Sequence, residues 1–199
     1  MPLPSDIDPH SGSRLPPVRR EDLDPAGRLE YDALAARTGS TSLAGLRGPG
    51  GLNLHSPRAA VHLNALSRYL RYGSSLTPRV RETAILAVAR ETDQPFEWAA
   101  HESYALGEGV PAATVEAIRM RGALAALDAA DAVVIELVRA VLTAHRVHAA
   151  LYARAKAALG ETVLVELAML IGNYTFVSAM LTVFDVQLPA GQADRLPPR

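Results

Sequence analysis

The chain has no cysteine among its 199 residues. That excludes disulfides, thiol nucleophiles and thiolate metal sites. Aromatic residues are scarce at 5%, and charge of neither sign is in excess, the formal net charge being -1. A near-neutral chain offers no electrostatic case for nucleic acid or an anionic membrane surface, so neither is expected as a partner. A positively charged start followed by an apolar run is also missing. No secretory leader is therefore expected, and the cytoplasm is the default location. No stretch alternates apolar and polar residues convincingly over strand length, and no Asn-Gly pair marks a hairpin.

What is present is an ordinary soluble composition, 49% apolar and 21% charged, in a chain long enough for one domain with a substantial core. The expected fold class is all-α. Residues 1–20, with Pro2, Pro4, Pro9, Pro16 and Pro17, read as an extended or disordered arm able to drape over a neighbouring subunit. A single helical domain is expected over residues 21–188 and a tail over 189–199. Helices are expected over Asp22–Thr38, from Pro57 to about Arg71, from Pro111 to Arg121, over Ala129–Ala144, and over Ala149–Leu159 up to Gly160. Gly39–Gly51 reads as a flexible loop, since it lacks the lysine and spacing of a phosphate-binding loop. His145 and His148 stand three apart without a nearby carboxylate to complete a metal site, so no metal is expected. Thr162–Phe184 is long enough to span a bilayer, but Glu166 and Asn173 interrupt it. A core or subunit-interface helix, with Tyr174 and Phe176 adding to the contact, is the better reading.

The chemistry concentrates in Pro78–Tyr104, two helices separated by Thr92-Asp93-Gln94-Pro95. Thr77 is a plausible N-cap and Pro78 suits a first turn. Glu82 shares an apolar face with Ile85 and Leu86, so its carboxylate must find a partner or take a raised pKa. On the second helix Glu97 and His101 stand at i and i+4, with Tyr104 three residues further on the same face. An acid on a buried face beside a carboxylate–imidazole pair is a candidate proton-transfer site.

RETAILAVARETDQPFEWAAH resembles the signature of the carboxymuconolactone decarboxylase family, within the alkylhydroperoxidase D-like superfamily. A looser likeness runs from about Asn53 to Gly191. The resemblance implies a helical bundle assembling as a homo-oligomer, a trimer or hexamer, with active sites near subunit interfaces. In the superfamily's peroxidase branch a Glu precedes a Cys-x-x-Cys pair and a His. Here Glu82 and His101 occupy the acid and imidazole positions, while Gln94 and Glu97 stand where the cysteines would be. Thiol peroxidase activity is thereby excluded.

The resemblance instead implies a decarboxylase-like enzyme acting on a small carboxylated lactone or related cyclic acid by general acid/base proton transfer, with no cofactor. His101 is the expected proton donor or shuttle. Glu97 is expected to set its tautomer, and Glu82 to complete the relay or position the ring. His55, Arg81, Gln94, Trp98 and Tyr104 are the candidate substrate contacts, with Arg81 for the carboxylate if it points inward. The opposing reading is a different chemistry, or none, in which Glu82, Glu97 and His101 form a polar network that fixes helix packing.

Overall fold

The computed structural model describes residues 3–36, 46–189 and 191–198. Among them the regular elements are eight α-helices and one 3-10 turn, with no strand, and the all-α expectation holds. The chain divides into two compact units: Met1–Arg68 with Ala179–Ala193, and Tyr69–Ser178 with Asp194–Arg199.

In the first unit, α1 (Pro25–Ala35) is capped by Asp24, whose side chain accepts from the Gly27 N–H at 2.7 Å. The end expected at Thr38 lies outside the described residues, as does the 39–45 part of the expected loop. The rest of that loop contains a short helix, α2 (Pro49–Asn53), with Pro at its first turn. Proline there sacrifices only an N–H that has no helical partner in any case. Leu23, Leu34 and Leu54 form the buried centre of this unit. The segment expected as an arm, in its described part, closes a turn stapled by a bridge between Asp8 and Ser13. Its backbone also pairs with the C-terminal stretch, Arg14 N–H to Phe184 O at 2.9 Å and Gln187 N–H to Gly12 O at 2.8 Å.

α3 (Pro57–Tyr72) gives its last turn to the second unit. There α4 (Pro78–Glu91) is the central rod, every residue from Glu82 to Glu91 being buried. The Thr77 side chain accepts from the Val80 N–H at 3.3 Å, as an N-cap should. The helix stops at Asp93, which takes a positive φ of 48°. The Gln94 side chain then caps α5 (Pro95–Gly107). α6 (Ala112–Arg119) and α7 (Ala129–Leu142) follow, and α4 packs mainly against α5 and α7.

α8 (Ala149–Val183) is two helices meeting at Gly160, whose φ of 77° and ψ of 171° suit glycine almost alone. By length and composition α8 is the one described helix apolar enough to cross a membrane. Its buried face nevertheless joins the core of the second unit through Leu167, Leu170, Ile171 and Tyr174. Glu166 is satisfied there too, accepting from the Tyr69 hydroxyl at 2.5 Å and the Ser75 N–H at 2.7 Å. An acid in an apolar helix is tolerable when it is hydrogen-bonded in this way.

Candidate active site

The break between α4 and α5 lets the two helices pack together, and it sets Glu82 of α4 against His101 of α5. His101 Nδ1 lies 2.8 Å from Glu82 Oε2. An ionised carboxylate can only accept, so Nδ1 carries the proton and Nε2 is the ring's working edge. Glu82 Oε1 accepts from Arg81 Nε at 3.1 Å, and Arg81 Nη1 donates to the Arg71 carbonyl at 2.8 Å. Glu97 Oε2 stands 3.6 Å from Nε2, too long for a hydrogen bond. The Tyr174 hydroxyl reaches the same nitrogen at 3.5 Å, its ring edge-on to the imidazole with centroids 5.4 Å apart. Glu82, Glu97, His101 and Tyr174 are all buried.

The two carboxyls flanking one imidazole are driven in opposite directions. Burial alone would raise Glu82. The hydrogen bond and charge of His101, with help from Arg81 and Arg71, overcome burial and hold its pKa below the usual value. Glu97 has no such support. Burial pushes its pKa up, His101 and Arg71 pull against that, and the charge on Glu82 adds to the rise. Burial likewise raises Tyr174. A pair of acids split by their surroundings around a shared base is an arrangement suited to moving a proton.

Of the two expectations for Glu82, completing the relay or positioning the ring, the 2.8 Å contact fits the second. The i, i+4 spacing suggested Glu97 as the group that sets the tautomer, but the shorter contact comes from Glu82 across the helix pair. Arg81, the candidate for the substrate carboxylate, instead holds the Glu82 carboxylate and the Arg71 carbonyl in the last turn of α3. Its Nε and Nη1 donors are thus already engaged.

Among the other sequence candidates, Tyr104 lies beside the imidazole with ring centroids 6.2 Å apart and is 38% exposed, a rim position. Trp98 is a core residue whose Nε1–H is buried without a partner among the described residues. Gln94 is buried as the α5 cap, its amide also reaching the Ser178 carbonyl at 3.4 Å. His55 belongs to the first unit, where its Nε2 lies 3.1 Å from the Pro16 carbonyl beside a cavity of about 50 Å³. Two residues the sequence did not single out for the site are Tyr174, expected at a subunit contact, and Arg71, in the last turn of α3. Among the described residues no cluster of three or more His, Asp or Glu side chains has the arrangement to hold a metal ion.

Residues 57–140 match the family model described as carboxymuconolactone decarboxylase family. The chain carries a carboxymuconolactone decarboxylase family segment. It runs from the start of α3 almost to the end of α7, and so contains Arg71, Arg81, Glu82, Glu97 and His101 but not Tyr174. The family resemblance read from RETAILAVARETDQPFEWAAH is thereby borne out. No curated protein matches the chain.

Proposed function

We propose that this carboxymuconolactone decarboxylase family member is a carbon–carbon lyase that removes a carboxylate from a small lactone or related cyclic acid by general acid/base catalysis. The observation that carries the reading is the single buried imidazole between two carboxyls of opposed pKa direction. In the reaction, the bond from the departing carboxylate to the ring breaks and carbon dioxide leaves. The electron pair spreads as a dienolate onto the lactone carbonyl, and a proton is delivered to carbon. Glu82 fixes Nδ1–H and stabilises the imidazolium. Nε2 passes the proton, with Glu97, kept towards its neutral form, as the reservoir behind it. Tyr174 supports the same edge, and Tyr104 stands at the rim.

The competing reading is a structural network, favoured by how completely Glu82 is bonded. Turnover distinguishes them. Incubation with carboxymuconolactone in deuterated water should release carbon dioxide and give product with deuterium on a ring carbon. Absence of turnover would set aside this substrate. Turnover by a His101→Ala protein at the wild-type rate would remove the imidazole from the mechanism.

We also place the protein in the cytoplasm as a homo-oligomer. Between Val165 and Phe176 the exposed residues of α8, namely Val165, Ala168, Met169, Gly172 and Phe176, are all apolar, which supports subunit contact there.

A further inference from the structure

We propose that Arg71 is the residue that holds the substrate's retained carboxylate, a role expected at Arg81. The inference rests on the proton-transfer reading above and adds the recognition element that reading lacks. Arg71 lies in the last turn of α3, and its carbonyl accepts from Arg81 Nη1, the same guanidinium that holds Glu82. The backbone of Arg71 is thus tied to Glu82 through one side chain, and through Glu82 to His101. Its own side chain is half-buried, and its Nε–H is buried without a partner among the described residues. A buried charged donor left unpaired is costly and calls for an acceptor.

The charges nearby say which kind of acceptor. Arg81 and Glu82 neutralise each other at 3.1 Å. Glu97 is driven towards its neutral form, although its charge, with those of Tyr174, Tyr72 and Glu82, is felt at Arg71. Arg71 is thus a cation whose buried Nε–H has no partner among the described residues, close enough to Glu82 and Glu97 for their charges to act on it. A planar carboxylate is the group a guanidinium fork fits best. The carboxylate held is one that stays on the product. An ion pair to the departing group would stabilise the ground state more than the transition state and slow its loss. The Tyr72 ring, whose centroid lies 5.3 Å from Arg71 Cζ, limits the directions the guanidinium can take.

The test is calorimetric titration of wild type, Arg71→Gln, Arg71→Lys and His101→Ala with a saturated γ-lactone bearing an acetate arm, and with its neutral amide. Each variant is first checked for a native melting transition. The expected result is binding of the acid by wild type and His101→Ala, weakened about 10–100-fold in Arg71→Gln, the range given by losing one or two charge-assisted hydrogen bonds. Arg71→Lys should fall between, because it keeps the charge and loses the fork. The amide should bind wild type and Arg71→Gln alike.

Equal binding of the acid by wild type and Arg71→Gln, or no binding by wild type, would overturn the assignment. Imidazole resonances of His101 separate this inference from the reading beneath it. Acid binding that needs Arg71 but leaves those resonances unmoved would keep the carboxylate site and sink the proton-transfer reading.

Discussion

Replacing Glu97 by Gln should stabilise the protein in alkaline solution and leave it unchanged in acid. Glu97 is 4% exposed, and its contact with His101 Nε2 at 3.6 Å is beyond hydrogen-bond length. Ionising it in place therefore forfeits hydration for little return, which is why its folded pKa is raised. A carboxyl raised on folding binds its proton more tightly in the native state. Below the unfolded pKa both states are protonated and the residue is silent. As pH climbs through the folded pKa, the wild type loses stability, by about 1.4 kcal/mol for every unit of the rise. Gln keeps the shape and cannot ionise, so the variant escapes that loss. In a chain of this size each kcal/mol gained corresponds to about 2–4 °C in Tm. Thermal melts of both proteins at about pH 4 and about pH 8 give the difference directly. A variant that melts below wild type at the higher pH would mean that the carboxylate is a structural partner, and would refute the reasoning.

The neighbouring acid should behave in the opposite way. Glu82→Gln strips the charge that holds both His101 and Arg81, and removal of one member of a buried pair costs about 3–5 kcal/mol. Because the Glu82 pKa is lowered on folding, that deficit should be present in urea melts at neutral pH and close as pH falls through the folded pKa. Asp131, buried and accepting two bonds from the more exposed Arg79 and one from Thr114, anchors α7; Asp131→Ala should lower stability by a smaller amount, about 1–3 kcal/mol, in the same assay. Gly160→Ala should cost about 1–3 kcal/mol by backbone strain alone, since an added Cβ meets nothing within 4 Å. An unchanged denaturation midpoint there would show that the two parts of α8 can realign.

Much of the fold was legible because its boundaries are written in local chemistry. Thr77-Pro78 starts α4, Asp93-Gln94-Pro95 ends it and starts α5, and Gly160 breaks α8 where the backbone turns to a conformation other residues avoid. The short α2 escaped notice because its glycines argue for a loop, and one turn of helix leaves little periodicity. Glu82, Glu97 and His101 were legible as a group from a carboxylate on an apolar face and an i, i+4 pair. Their individual parts were not. Spacing along one helix fixes only neighbours on that helix, while the shortest bond to His101 crosses from another. Arg81 misled for a related reason, since a long flexible side chain need not follow the face on which its Cα lies. Arg71 and Tyr174 come from helices distant in sequence, and only packing brings them towards the imidazole.

The most direct measurement is the rate of carbon dioxide release from carboxymuconolactone by wild type, His101→Ala and Glu97→Gln, with each variant shown by its melting curve to be folded. The account predicts turnover by wild type and its loss in both variants, with Glu97→Gln at least as stable as wild type in alkaline solution. Turnover that survives in folded His101→Ala would contradict it, whereas none by wild type would set aside this substrate.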